Sequence, residues 1–273
     1  MRLPRRLGHG EEASLVEHLD ELRGRIVVCL VALVAAAAVA YAFRASIIHW
    51  LEEPLPAKHR DNLLTFSVAE PFITSFMVAI YAGFLFALPI IFWQVWAFLA
   101  PAFSHSAQRM VTGLVGFAAV LAGLGIVFGR YVVMPAAIPF LTNYDSDLYN
   151  IQLRARDYIS FASLCILATA IVFEVPVFML GLTRLRIITT AKLRRNRRIG
   201  YAAMAAIAVA LPGVDPITTV IEMVPLMILF ALSVALATLF ERRWEAAAER
   251  EAAADSVLEP SAPGSDPLNP HGV

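Results

Sequence analysis

Two carboxylates sit where apolar side chains would be expected. Glu174 follows 16 uncharged residues after Asp157, with nine more before Arg184, and Glu222 interrupts the apolar run 216–240. An ionisable side chain inside a bilayer costs roughly 3 kcal/mol or more unless paired, so such positions mark a functional site or a hydrogen bond between helices. Pro176, just after Glu174, removes a backbone donor and frees a carbonyl nearby. A second cluster, Asp20, Glu21, Arg23 and Arg25, precedes the first apolar run. It is either a solvated face at the membrane surface or a carboxylate site for a cationic ligand. Asp215, between Pro212 and Pro216, has the position of a helix cap. No CxxC, HExxH, GxSxG or Walker-type loop occurs, and Cys29 and Cys165 read as small apolar residues. No metal, cofactor or catalytic constellation is implied.

The elements that must position these groups are set by composition. The chain has 273 residues, 59% hydrophobic and 16% charged, with 22 basic and 22 acidic side chains, and its mean hydropathy is +0.69. A soluble domain carries about 25% charged residues. One globular core of this size cannot hide that much apolar surface, and a net charge of zero gives no bulk attraction for nucleic acid. The expectation is an all-α polytopic membrane protein with six spans, at about 26–43, 72–98, 110–132, 158–183, 199–211 and 216–240. The last two are short and enclose Pro212-Gly213; a single re-entrant hairpin is the alternative. Ser14 and Glu17 form a capping box for an amphipathic N-terminal helix within 1–25, with Leu15, Leu19, Leu22 and Ile26 on one stripe. Residues 241–255 extend the last helix, and from Glu259 a Pro-, Ser- and Asp-rich tail reads as disordered, completing a cytoplasmic segment 241–273.

With six spans, 16 Lys and Arg fall on the side of the termini and six on the other, which places both termini in the cytoplasm. Ala38-Val39-Ala40 resembles a leader cleavage site. The region before it holds five acids, however, and the apolar run is as long as a span, so the segment is read as retained. Gly125 and Gly129, four apart, predict close helix packing.

His18-Leu-Asp-Glu21-Leu-Arg23-Gly-Arg25, Glu70-Pro71-Phe72, Pro89-Ile-Ile-Phe-Trp-Gln94-Val-Trp96-Ala-Phe98-Leu-Ala-Pro101 and Phe173-Glu174-Val-Pro176 together resemble the TatC family, the multispanning receptor subunits of the twin-arginine protein translocase. The resemblance covers about 14–240 and implies six spans in a bacterial cytoplasmic membrane. The implied function is to bind the twin-arginine signal peptides of folded clients and to export them on the proton motive force. The implied partners are single-span TatA-type and TatB-type subunits and other copies of the chain; enzymatic activity is not implied. It places a recognition carboxylate at Glu21, supported by Asp20, Arg23 and Gln108, and an intramembrane groove at Glu174. An outer cap and turn fall at Glu70, Pro71, Phe72 and Asp215, and partner contacts at Thr218 and Thr219. The family's second recognition glutamate falls on Ala107 here, leaving Asp20 or Gln108 to stand in for it. Leu211 replaces a threonine and Ala231 replaces an acid late in the last span.

Two other readings compete. A proton-coupled secondary transporter could use Glu174 and Glu222, but such folds carry repeated halves, and no internal repeat is visible. An intramembrane hydrolase would need a nucleophile–base pair at membrane depth, and no His lies mid-span.

Overall fold

The computed structural model describes residues 15–60, 63–99, 105–149, 151–184, 187–212 and 215–258; the side chains at 15–17, 99, 105–112, 243–245 and 247–258 are outside the description. Ser14 of the capping box and the tail from Glu259 therefore lie outside the described residues.

The described residues form helices and no strands. In chain order they are α1 (Leu15–Ala42), α2 (Arg44–Glu52), α3 (Glu70–Leu99), α4 (His105–Phe128), a π-turn (Gly129–Val133), α5 (Met134–Asn143), α6 (Ala155–Val172), α7 (Val175–Arg184), α8 (Thr190–Arg195), α9 (Arg197–Ala210) and α10 (Pro216–Leu258). Five helical runs are long and apolar enough to cross a bilayer: His18–Ala42, Glu70–Phe98, Gly113–Asn143, Ala155–Arg184 and Pro216–Arg242. The chain is thus an all-helical, multi-pass membrane protein. The 14 residues of α9 reach about 21 Å at ~1.5 Å per residue, short of a ~30 Å hydrocarbon core.

Several elements depart from expectation in detail. α3 starts at Glu70 and runs helical through Pro89. The third apolar run continues through the π-turn into α5, past 132. The fourth is two helices, because Phe173 and Glu174 break the ladder between α6 and α7. Pro176 sets that break: it cannot donate to the preceding turn and fits the first turn of a new helix.

α1 and α3 form the most extensive helix pair, but α1 turns its polar side toward α3. Glu21, Arg25 and Cys29 are half-buried while Leu19, Leu22 and Ile26 are exposed. The described part of the amphipathic stripe therefore faces outward, where a bilayer rather than water would receive it.

α6 packs on α3 and α4, whereas α7 packs chiefly on α10. Gly125 permits the α4–α6 approach, since a Cβ there would stand 2.6 Å from the Ala170 Cα. Gly129 does the same against Thr169, whose hydroxyl donates to the Gly125 carbonyl at 3.2 Å. Cys165 is buried in a core with Leu51, Met134 and Ile159, and a second core joins Phe92 and Trp96 to Leu121, Phe173 and Val177. Phe230 and Leu226 of α10 anchor a third against Met204 of α9.

On the opposite side of the bundle from α8, loops are latched together. Leu64 and Arg154 form a parallel bridge, with the Leu64 amide donating to Leu153 at 2.9 Å and Ala155 donating to Leu64 at 2.8 Å. Arg130, nearly fully buried, donates to Glu53 at 2.5 Å and to the Trp50 carbonyl at 3.1 Å. The Tyr158 hydroxyl reaches the Leu51 carbonyl at 2.6 Å. These bonds fasten α2 to the π-turn and to α6.

Candidate functional site

The N-terminal carboxylate is held ready by its neighbours. One helical turn separates Glu21 from Arg25, so their side chains share a face. Arg25 Nε and Nη2 both donate to Glu21 Oε1, at 3.0 and 2.6 Å. The same guanidinium reaches across to α3, where Nη1 donates to Gln94 Oε1 at 3.2 Å and Nη2 to the Ala97 carbonyl at 3.0 Å. His18, one turn earlier, stacks on Phe98 with ring centroids 4.5 Å apart. The side chains of Glu21 and Arg25 keep about a quarter of their surface exposed, and Glu21 Oε2 receives none of the hydrogen bonds among the described residues. The arrangement is a fixed carboxylate with one oxygen satisfied and the other available to a further cation.

The other predicted members of this cluster are not brought to it. Asp20 and Arg23 are exposed on other faces of α1. Gln108 and Ala107 lie in the first turn of α4, and their side chains are outside the described residues. Gln94 and the Ala97 carbonyl were not singled out as site residues. The signal was a lone amide near the end of an otherwise apolar span.

The two intramembrane carboxylates are both fully enclosed. Glu174 sits at the α6–α7 break with no exposed surface, and neither oxygen has a hydrogen-bond partner among the described residues; the Ala122 backbone of α4 lies alongside, out of bonding geometry. Phe173, beside it, packs on Phe128 with centroids 5.4 Å apart. The carboxylate expected to face an open groove is instead closed in by the α3–α4–α7–α10 core. Glu222 is buried to the same degree and is likewise unpartnered. It shares a buried stripe of α10 with Thr218, Leu226 and Ser233.

Asp215 caps α10 as predicted. Its Oδ1 accepts from the Thr218 amide at 2.8 Å, and the Thr218 hydroxyl donates to Oδ2. The Thr219 hydroxyl donates to the Asp215 carbonyl at 2.9 Å. Thr218 is buried and engaged in this cap, which leaves half-exposed Thr219 as the one of the pair that a neighbouring helix can touch.

Glu70 opens α3 from a buried position. It accepts from Arg154 Nε at 2.7 Å on Oε1, and on Oε2 from Arg154 Nη2 at 3.1 Å and the Phe66 amide at 2.9 Å. The Glu70 carboxylate beside it pushes the Arg154 guanidinium above its ordinary value, so this cation keeps its proton. Pro71 follows at the second helical position, and Phe72 stands exposed and stacked on Phe76 at 6.2 Å. Arg154 was not predicted as the partner of Glu70, because 84 residues separate them. Among the described residues no group of three or more His, Cys, Asp or Glu could hold a metal.

Comparison with known proteins places this arrangement. Residues 17–225 match the family model TatC, Sec-independent protein translocase protein. The chain is 32% identical over 225 residues to the Sec-independent protein translocase protein TatC of Carboxydothermus hydrogenoformans, covering 82% of this chain and 92% of that one. It is also 32% identical over 236 residues to the corresponding protein of Deinococcus radiodurans, covering 84% and 87%. A crystal structure of a twin-arginine translocase receptor TatC superposes with a TM-score of 0.70 at 28% identity, covering 81% of this chain and 99% of that one. Sequence along most of the chain and shape across the whole bundle agree, and the chain belongs to the TatC family of Sec-independent protein translocase proteins.

Proposed function

We propose that this chain is the signal-peptide receptor and core subunit of a twin-arginine translocase. In this role it exports folded proteins across a bacterial cytoplasmic membrane, driven by the proton motive force. The observation that carries the reading is the Glu21–Arg25 pair docked on Gln94 and Ala97. A client's arginine pair presents guanidinium N–H donors, and a carboxylate oxygen accepts charge-assisted hydrogen bonds from them. Arg25 crowds one oxygen of Glu21 and fixes the carboxylate against α3, leaving Oε2 for the client. Asp20 and Arg23, on neighbouring faces of α1, and Gln108, in the first turn of α4, extend the surface that the signal peptide meets.

The topology that serves this role has six spans, with the short α9 counted as the fifth, and both termini in the cytoplasm. The strong excess of Lys and Arg on the side of the termini supports it. Residues 1–25 then form a cytoplasmic surface helix, 26–240 the membrane domain, and 241–273 a cytoplasmic extension and tail. Glu70, Pro71, Phe72 and Asp215 form the outer cap and turns. Glu174 is the polar point inside the bundle at which a signal-peptide hairpin or a partner helix engages once α7 and α4 part. Thr219, with Thr218 behind it, faces the single-span TatA-type and TatB-type subunits, and the complex holds several copies of this chain.

The test is export of a twin-arginine reporter in cells lacking their own receptor, with signal-peptide crosslinking to this chain. Export restored by the chain, and lost with Glu21→Ala while membrane assembly persists, is the expected result. Crosslinking unchanged in Glu21→Ala would move the recognition site elsewhere.

A further inference from the structure

Between α8, α9 and α10 lies an open cavity of about 640 Å³ whose chemistry differs along its length. Its rim is basic: Arg194 of α8, Arg197 of α9 and Arg242 of α10 line it, and no acidic residue does. Its floor is apolar, with buried Phe230 and Val234 beside Tyr201 and Ala235, and half-exposed Leu239 and Thr238 line its side. All three arginines are exposed, and none has a hydrogen bond or ion pair among those described.

The cavity is held open by packing. A Cβ at Gly200 would collide with the tip of the Phe230 ring, so the glycine lets that ring reach up against α9. Tyr201 then meets Phe230 edge-on, with centroids 5.0 Å apart. Above them, the buried Thr190 hydroxyl donates to Glu241 and ties α8 to α10, which sets Arg194 over the groove beside Arg242. Thr189 caps the short helix by accepting from the Lys192 amide at 3.3 Å.

From Phe230 to Arg242 the groove runs 12 residues along α10, about 18 Å at ~1.5 Å per residue. That is the length of a headgroup plus the first part of an acyl chain. A groove in a membrane-spanning chain with a guanidinium rim at the polar end and aromatic and branched side chains below has the order of polarities of a phospholipid. Basic pockets between helices on the cytoplasmic side bind anionic headgroups by this means. The space arises where α9 begins: α9 starts only at Arg197, opposite Phe230, while α10 runs on past Arg242, so the α10 surface from Val234 to Arg242 extends beyond the start of α9.

We infer that this groove is a binding site for one anionic phospholipid, its phosphate held by Arg194, Arg197 and Arg242 and its chain laid along Phe230, Val234 and Leu239. The inference rests on the proposed orientation, which puts this end of the bundle in the cytoplasmic leaflet, but not on signal-peptide recognition at Glu21. The two can therefore fail separately.

The test uses the purified full chain in neutral detergent, titrated with dioleoylphosphatidylglycerol, with dioleoylphosphatidylcholine and with inorganic phosphate, and read by native mass spectrometry. Phosphatidylglycerol is expected to be retained over phosphatidylcholine. Arg197→Gln with Arg242→Gln should weaken it on the order of thirtyfold, taking roughly fivefold per arginine near a lipid surface. Arg195→Gln with Arg198→Gln removes the same charge outside the groove and should leave retention unchanged. Ala235→Trp fills the floor without touching charge and should weaken phosphatidylglycerol but not inorganic phosphate. Arg197→Lys with Arg242→Lys, which keeps the charge, should retain most of the binding and shows that loss in the glutamine pair is not misfolding. Equal loss in the two glutamine pairs would reduce the effect to bulk charge and overturn the site. Phosphatidylglycerol retention unchanged by Ala235→Trp would make the cavity a simple anion site. A copurifying single-span protein that is displaced by Arg197→Gln with Arg242→Gln, with no lipid retained, would make it a partner's groove.

Discussion

Arg25 gives two of its donors to the same oxygen of Glu21, Nε at 3.0 Å and Nη2 at 2.6 Å. It spends Nη1 and Nη2 again on Gln94 and Ala97 of α3. The carboxylate of the candidate receptor site is thus not a free surface charge but one fixed at a defined height on the bundle.

Replacing Glu21 by glutamine removes the charge and keeps the shape. A hydrogen bond to a charged group contributes about 1.5–3 kcal/mol, so signal-peptide crosslinking in Glu21→Gln should fall roughly ten- to a hundredfold. Membrane insertion and the amount of protein should not change. Equal crosslinking in both forms would show that Oε2 is not the client's acceptor.

Glu174 and Glu222 are equally buried and equally unpartnered, yet they are expected to differ. Glu222→Leu replaces a buried carboxyl with no hydrogen bond by an apolar side chain of similar size, which should raise stability by about 1–3 kcal/mol. A thermal melt in detergent checks this; a lower melting point would mean that Glu222 has a partner in the assembled state.

Glu174→Gln, by contrast, should leave the melt within about 1 kcal/mol, since the shape is kept and no hydrogen bond is broken. Reporter export should fall at least roughly tenfold, equivalent to ~1.4 kcal/mol. Normal export in this variant would make Glu174 a structural residue only.

Gly181 of α7 lies directly under the Trp96 indole of α3, where a Cβ would overlap the ring. Gly181→Ala should therefore destabilise the bundle by about 1–3 kcal/mol, the usual cost of overpacking, and shift tryptophan fluorescence. Adding Trp96→Leu should recover most of the loss. If Gly181→Ala alone leaves the melt unchanged, α3 and α7 are less closely packed than described.

The Leu64–Arg154 latch gives a proteolysis prediction. Glu70→Ala leaves Arg154 and the Phe66 amide without their shared acceptor. The segments around Leu64 and Arg154 should then be cut sooner by protease added to the side of the membrane on which this latch lies, while the helices stay protected. Digestion at the wild-type rate would show that the Leu64–Arg154 bridge holds alone.

Much of this was legible in the linear sequence, for physical reasons that also explain the failures. Apolar runs report spans because the bilayer filters composition. Asp215 between Pro212 and Pro216 reported the cap because a cap acts within one turn, whereas Pro176 reported a freed carbonyl but not the division of the run into two helices. The Glu70–Arg154 pair could not be read, since it depends on how two loops meet. The docking of α1's polar side on α3 could not be read, because a stripe of leucines says where two environments divide but not which of them is lipid. The full burial of Glu222 could not be read from its place in the run, because it depends on how the helices close over it.

The break at Phe173–Glu174 divides one membrane crossing between two anchorages. α6 is fastened to α4 through Gly125, Gly129 and Thr169, while α7 goes with α10. Mechanically it is a joint at which the partners of the crossing change: α7 sits on α10 and also touches α3, where Trp96 covers Gly181 and Phe92 meets Phe178. A displacement of α10 therefore reaches α7 and α3 together, with Glu174 at the point where the crossing is free to bend.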